Sequence, residues 1–328
     1  MKNFIVALSL LVYSVSGDAA ELDPVRVGVL KFGTVNWELD VVQQHGLAER
    51  QGVDLKVVPL GSKNALSVAL QGGAVDVVVT DWIWVSRLRA EARKYSFFPY
   101  SRTVGALFVR PDANVKSLTD LTGRALGIAG GPVDKSWLLL RAYARQTLNL
   151  DLKDSLEPTF AAPPLLNQLM LKGDLPAVLN FWHYGARLKA AGMQEFVTVV
   201  DLLRELGIQT EVPLLGWVFD EDWADQNRAA LVGFLTASYQ AKKILAESDA
   251  EWTRIRELTK AENEATLSAL KDSYREGIPK KFGEAELRAA EQVFALLARE
   301  GGEELVGRST ALAPGTFWEG TSPQALMQ

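Results

Sequence analysis

Polar and aromatic side chains follow the ends of predicted strands, which is where α/β proteins place ligand contacts. They are Asp81 and Trp82 after the mostly apolar residues 75–79, and Asn180, Trp182 and His183 after residues 177–179. A carboxylate there binds a ligand amine or caps a helix, and an indole face binds flat or cationic groups. The pattern predicts a binding site, with helix capping by Asp81 and core packing of the tryptophans and of His183 as the alternatives.

Two glycine-containing loops stand just before predicted helices and suit an anion. They are residues 61–64 and residues 130–137, and each carries a lysine, Lys63 or Lys135. Free backbone N–H groups and the positive end of a helix favour negative charge. Asp134 next to Lys135 leaves open that these two pair with each other instead. No phosphate-binding or dinucleotide-binding glycine motif is present.

The composition excludes several kinds of chemistry. The chain of 328 residues has no cysteine and only two histidines, and its net charge is −5. Thiolate metal sites, cysteine nucleophiles and multi-histidine metal centres are therefore excluded, and no basic stripe favours nucleic acid. No motif of a serine hydrolase or zinc protease occurs. We therefore predict no catalytic residues, no cofactor and no metal.

Strands and helices alternate along the first 200 residues, which predicts an α/β fold with mostly parallel sheets. The pattern restarts with an offset close to 100: residues 66–79 match 166–179, Trp37 matches Trp137 and Trp82 matches Trp182. We predict two similar lobes. Trp217, Trp223 and Trp252 lie outside the strand-end loops and are predicted to be core residues.

Two short apolar segments with an early glycine, residues 104–109 and 215–219, bracket the second half. If both cross between lobes, lobe 1 consists of residues 21–109 plus 215–328 and lobe 2 of residues 110–214. Gly105 and Gly216 are the predicted hinge positions, because two crossings confine a rotation to few residues.

The first 20 residues look like a signal peptide. Lys2 precedes an apolar run at residues 4–15, and small residues follow it. The run is too short to span a bilayer. A cleaved signal and a chain without cysteine predict a periplasmic location.

Four segments resemble the periplasmic substrate-binding proteins of ABC importers, in the nitrate, sulfonate, taurine and thiamine-pyrimidine-precursor branch. The segments are residues 46–58, 69–76, 117–127 and 169–177, with Pro176 where that branch carries an acidic residue. The resemblance implies a two-lobed type II periplasmic binding fold with each lobe a mostly parallel sheet flanked by helices. It also implies ligand contacts at Phe32, Thr34, Asn36, Trp37, Ser62, Asn64, Asp81, Trp82, Gly131, Lys135, Ser136 and Trp137.

By this resemblance the expected function is capture of a small organic or anionic ligand between the lobes. The expected partners are that ligand and an inner-membrane ABC permease, and the chain is expected to be a monomer. Candidate ligands are sulfonates, nitrate, taurine and aromatic or pyrimidine-like compounds. If Trp137 lies on the cleft wall, its replacement by alanine weakens affinity at least roughly tenfold, about 1.4 kcal/mol. The alternatives are a pyrimidine-synthase-like enzyme on the same fold and a periplasmic sensor subunit.

Overall fold

The structure is a computed structural model and describes residues 22–327. The predicted signal peptide, residues 1–20, lies outside the described residues. Within the described chain no helix is both long and apolar enough to cross a membrane.

Ten strands form two five-stranded mixed sheets. The first sheet has the order β2-β1-β3-β10-β4 and the second the order β7-β6-β8-β5-β9. The strands are β1 (Asp23–Leu30), β2 (Val53–Leu60), β3 (Val77–Asp81), β4 (Tyr95–Ser101), β5 (Gly105–Val109), β6 (Ala125–Ala129), β7 (Glu157–Ala161), β8 (Ala177–Phe181), β9 (Gln194–Thr198) and β10 (Leu215–Asp220).

Helices pack on both sheets and dominate the C-terminal third of the chain. They are α1 (Val35–Gln44), α2 (Lys63–Gln71), α3 (Trp82–Ala90), α4 (Lys135–Leu148), α5 (Leu152–Ser155), α6 (Pro163–Lys172), α7 (Trp182–Ala190), α8 (Val199–Glu205), α9 (Glu221–Gln226), α10 (Arg228–Glu247), α11 (Asp249–Arg254), α12 (Arg256–Thr259), α13 (Glu264–Glu276), α14 (Glu284–Val306) and α15 (Pro323–Leu326).

The internal repeat is confirmed. In the first sheet β2, β1 and β3 run parallel, and β10 is antiparallel between β3 and β4. In the second sheet β7, β6 and β8 run parallel, and β5 is antiparallel between β8 and β9. The offset of 100 holds closely for β3 against β8 and for α3 against α7. The carboxyl ends of both parallel sets therefore face each other across the space between the lobes.

The chain crosses between the lobes at residues 102–104, and again between α8 and β10. The predicted boundary at residue 109 is wrong, because β5 pairs with β8 and β9 and so belongs to the second sheet. The sequence of an apolar strand does not reveal which strands it pairs with. The lobe to which β5 belongs could therefore not be predicted. The first sheet contains β1–β4 and β10, and the second contains β5–β9.

Gly105 and Gly216 lie inside strands rather than in the crossing segments. A Cβ atom at Gly105 would lie 2.3 Å from the carbonyl oxygen of Asn180, and one at Gly216 would lie 2.2 Å from the ring of Phe97. Both glycines therefore permit close packing within a sheet. A hinge movement stays a prediction, and residues 102–104 with 206–214 are the segments that would carry it.

One hydrophobic core spans both lobes on the side of α14. Leu138 from α4 and Leu203 from α8 share this core with Leu297 from α14 and Val85 from α3. Arg145 and Glu300 add a salt bridge between α4 and α14, with 2.7 Å between nitrogen and oxygen. The lobes are thus already in contact along this side.

Candidate functional site

A salt bridge joins the two lobes across the carboxyl ends of their strands. Nζ of Lys135, at the start of α4, donates to Oδ2 of Asp81 over 2.8 Å. Oδ1 of Asp81 accepts from the N–H of Trp84 at 3.0 Å and so caps α3. The capping role considered for Asp81 is confirmed. The second carboxylate oxygen of Asp81 contacts Lys135 of the other lobe.

The electrostatics of this pair are those of a partly buried site. Burial acts to raise the pKa of Asp81, but the nearby charge and hydrogen bond of Lys135 outweigh it, and the pKa is lowered. Burial likewise opposes the charge of Lys135, yet Asp81 leaves the pKa of this lysine raised. Both groups are therefore held charged, so a ligand that enters here must match or replace a full ion pair.

Lys63 supplies a further cation at this place. Its charge acts on Asp81, Asp134 and His183, and its Nζ lies 5.2 Å from the ring centroid of Phe181. Lys63 forms no ion pair among residues 22–327. We call Lys63, Asp81, Asp134, Lys135 and His183 the front site.

Asp134 caps its own helix instead of pairing with Lys135. Its Oδ1 accepts from the N–H of Ser136 at 3.0 Å and from that of Trp137 at 3.4 Å. Burial raises the pKa of Asp134 against the opposing charges of Lys135 and Lys63. The anion-binding capacity of the α4 N-terminus is thus largely taken up by this carboxylate.

His183 is a neutral imidazole at the start of α7. Burial, with the charges of Arg187 and Lys63, lowers its pKa to about 3. Its Nδ1 is buried and has no hydrogen-bond partner in the part of the chain that the structure describes. The N-terminus of α7 carries no side-chain cap. This end of α7 therefore offers unsatisfied hydrogen-bonding capacity next to the front site.

Trp37 of the first lobe and Trp182 of the second meet across the cleft. Their ring centroids are 5.9 Å apart in an edge-to-face arrangement. Trp37 is buried, whereas Trp182 is partly exposed and also contacts His183 and Tyr274. Of the four tryptophans predicted to face the cleft, Trp182 has the best access.

Trp82 and Trp137 are core residues in this structure. Trp82 is fully buried, and its indole N–H donates to the carbonyl of Pro213 at 3.1 Å. Trp137 packs in the core of the second lobe. A place beside a strand end does not decide the direction of a side chain, because a helix that starts there turns some residues inwards. Trp217 and Trp252 are core residues as predicted, and Trp223 packs partly buried against the core.

Three of the other predicted contact residues make hydrogen bonds within their own lobe. Ser62 caps α2 by accepting from Ala65, and Asn36 ties its loop by donating to two carbonyls. Asn180 is buried within the second lobe, bonded to Asn167. The remaining five are the N-cap residue Thr34, the exposed Asn64, the 76% exposed Phe32, the buried Ser136 and Gly131.

A cavity of about 420 Å³ lies at the crossing segments and escaped the sequence analysis. Its lining includes Arg102, Trp182, Arg204, Glu211 and Glu276. We call it the hinge cavity. Its residues come from the crossing segments, from α7, α8 and β9 of the second lobe, and from the end of α13. Trp182 was predicted as a ligand contact and Gly105 as a hinge position, but nothing in the sequence signals that these distant segments meet.

The acid sensitivity of folding should report on His183. Its folded-state pKa of about 3 is below the value near 6.5 of an unfolded histidine. The unfolded chain therefore binds the proton first, so the stabilisation is complete above about pH 6.5 and is lost as the pH falls towards 3. His183→Gln is expected to reduce the drop in melting temperature between about pH 7 and pH 5.

Thermal unfolding at both pH values measures this effect, with His45→Gln as the control at the partly exposed second histidine. An equal drop in the wild type and in His183→Gln would show that His183 does not titrate as stated.

Two repeated α/β lobes, joined by two crossing segments around a charged cleft, define the type II periplasmic binding protein fold. The chain belongs to the NMT1/THI5-like family, whose model matches residues 34–251. Among the curated proteins that were compared, none matches the chain.

Solved structures share the fold at low identity. The periplasmic aliphatic sulphonate binding protein SsuA from Escherichia coli has a TM-score of 0.70 at 17% identity, over 91% of this chain and 93% of its own. The periplasmic nitrate-binding protein NrtA from Synechocystis PCC 6803 has a TM-score of 0.54 at 12% identity, over 80% and 71%. A cysteine-to-serine mutant of DSZB in complex with biphenyl-2-sulfinic acid has a TM-score of 0.57 at 15% identity, over 85% and 92%.

Proposed function

We propose that this protein is the solute-binding component of an ABC importer, which holds a small ligand between its lobes and delivers it to a membrane permease. The observation that carries the proposal is the salt bridge between Asp81 of the first lobe and Lys135 of the second. Asp81 and Lys135 come together only when the lobes approach each other. The free energy of lobe closure therefore depends on what lies between these two groups. A periplasmic location, export through the predicted signal peptide, and a monomeric state complete the proposal.

The front site favours a small organic anion. Lys63 and Lys135 supply two cations, His183 is neutral, and Asp134 has its pKa raised by burial. When the lobes part, an anion can replace Asp81 at Lys135, while the N–H of Trp84 continues to stabilise the Asp81 carboxylate. The uncapped start of α7 adds a positive dipole end. The name of SsuA mentions an organic anion, a sulphonate, and that of NrtA an inorganic one, nitrate, so both names agree with a small anion.

Substitution of the two lysines tests this assignment. Lys135→Met is expected to weaken binding of the anion at least roughly tenfold, about 1.4 kcal/mol, because a direct ion pair to the ligand is lost. Lys63→Met is expected to weaken it less, since Lys63 is exposed and leaves the Asp81–Lys135 pair intact. Lys153→Met is the control, an exposed lysine of the second lobe outside the cleft.

The ligand for this test comes from a thermal-shift screen of the mature protein against alkanesulfonates, taurine, nitrate, aromatic carboxylates and pyrimidines. A bound ligand raises the apparent stability by mass action. Calorimetry then gives the affinity for each variant. Equal affinity in the wild type and in Lys135→Met would place the ligand elsewhere, and an amine as the best ligand would contradict the anion assignment.

An enzyme on this fold is the second candidate, because the DSZB mutant shares the fold and is bound to a sulfinic acid. The present chain has no cysteine, so chemistry that needs a thiol is closed to it. Incubation of the identified ligand with the protein, followed by NMR of the small molecule, separates the two. A binding protein returns the ligand intact, whereas turnover would favour the enzyme.

A further inference from the structure

The hinge cavity lies between the lobes beside the front site, which it meets where Trp182 contacts His183. Its walls are residues 102–106, the start of α8 and one face of α7, and the C-terminal end of α13 closes it from the first lobe. In the sheets it lies at β5 and β9, whereas the Asp81–Lys135 pair lies at β3 and β6. Its volume of about 420 Å³ is within the range of pockets that hold small molecules.

The walls combine an apolar surface with charged groups. Val104, Ala106, Phe108 and Val199 contribute apolar atoms, and Trp182 contributes an indole ring. Such a surface suits a compact ligand body that carries alkyl groups. An indole also attracts a cation to its face.

The charges around the cavity do not balance. Arg102 and Arg204 both pair with Glu211, and Arg204 also lies 3.5 Å from Asp201. Lys189 lies 3.5 Å from Glu195, so each cation of the lining has an acidic partner. Four carboxylates therefore face three cations.

Glu276 is the carboxylate left over. It is exposed, and its side chain has no ion-pair partner within residues 22–327. The cavity therefore has an excess negative charge at the end of α13, which favours a positively charged occupant.

Arg102 leaves one donor without an acceptor. Its terminal nitrogens pair with Glu211 and with the carbonyl of Glu276, but the buried Nε–H has no partner in the described chain. A buried donor without an acceptor costs about 1–3 kcal/mol. An oxygen atom of an occupant would satisfy it once the guanidinium turns towards the cavity, because Nε has almost no exposed surface in the conformation described.

We propose that the hinge cavity binds a small organic cation that carries a hydrogen-bond-accepting oxygen, of the amino-alcohol class. The ammonium group lies between Glu276 and the ring of Trp182, and the oxygen accepts from Nε of Arg102. Because Glu276 belongs to the first lobe and α7 to the second, the occupant contacts both lobes beside the crossing segments. This site does not depend on the anion proposed for the front site.

Choline is the probe for the experiment, and 3,3-dimethyl-1-butanol is its neutral control of the same shape. Titration of the ¹⁵N-labelled full mature protein is followed at the indole N–H of Trp182, assigned with Trp182→Phe. Choline is expected to shift this resonance with saturation, and the neutral alcohol is expected to bind at least about fivefold more weakly. Tetramethylammonium, which lacks the oxygen, is expected to fall between them.

Glu276→Gln is expected to weaken choline binding at least about fivefold, because the unpaired charge is removed while the exposed side chain keeps its shape. Glu284→Gln, at the exposed start of α14, is the matched control and should bind as the wild type does. Lys135→Met should also leave choline binding unchanged. The front-site assignment can therefore fail without changing the result for the hinge cavity. Equal binding of choline and the neutral alcohol, equal binding in Glu276→Gln, or no saturable shift of Trp182 would overturn the proposal.

Discussion

Replacement of Lys242 by methionine is expected to lower the free energy of unfolding by about 3–5 kcal/mol, because it leaves a buried carboxylate without its cation. Lys242 on α10 and Glu38 on α1 are 1% and 0% exposed and form an ion pair inside the first lobe. Methionine fills about the same volume as the aliphatic part of Lys242. The expected loss therefore comes from charge rather than from a cavity.

Polar and aromatic groups around this pair stabilise its two charges. Glu38 accepts from Ser238 Oγ at 2.5 Å and from Tyr274 Oη at 2.8 Å. Nζ of Lys242 lies 3.7 Å from the ring centroid of Tyr100. Burial lowers the pKa of Lys242 against the opposing effect of Glu38, so desolvation of the ammonium works against this pair.

Urea unfolding of the purified protein without residues 1–20 measures the change, with the m-value checked for constancy. Arg288→Met is the control, because Arg288 and Glu284 form an ion pair that is 67% and 89% exposed, and such pairs contribute about 0–1 kcal/mol. The double variant Glu38→Gln/Lys242→Met is expected to recover part of the loss, since the unpaired charge is gone. A loss in Lys242→Met no larger than in the control would contradict the account.

The architecture could be predicted because it follows from patterns that repeat along the chain. The alternation of strands and helices and the offset of 100 residues predicted two similar lobes, and both sheets have that topology. The helical turn Leu118–Leu121 likewise follows from near neighbours, because the N–H of Ser117 donates to the carboxylate of Asp120 three residues on. These features depend on neighbours in sequence, which is why a single chain reveals them.

The site was predicted less well because it depends on contacts between distant residues. Asp81 and Lys135 were both selected, but nothing indicated that they pair with each other across 54 positions. Glu38 and Lys242 look like charges on surface helix faces, and only the fold shows that they are buried together. The hinge cavity likewise joins segments that carry no common motif.

The structure changes the expected effect of replacing Trp137 more than that of any other predicted residue. Its side chain is 2% exposed and packs in the core of the second lobe, with the ring of Phe160 at 6.5 Å and the guanidinium of Arg141 at 5.9 Å. Trp137→Ala is therefore expected to lower the free energy of unfolding by about 3–5 kcal/mol, the usual cost of removing a buried tryptophan. The tenfold loss of ligand affinity expected from the sequence no longer follows.

Urea unfolding and calorimetry on the same preparation separate the two interpretations of Trp137. Phe32→Ala is the control, because that ring was also predicted to contact ligand but is 76% exposed, so its removal should change stability by less than about 0.5 kcal/mol. Affinity for an identified ligand should be nearly unchanged in the fraction of Trp137→Ala that is folded. An affinity reduced tenfold at unchanged stability would instead return Trp137 to the cleft wall.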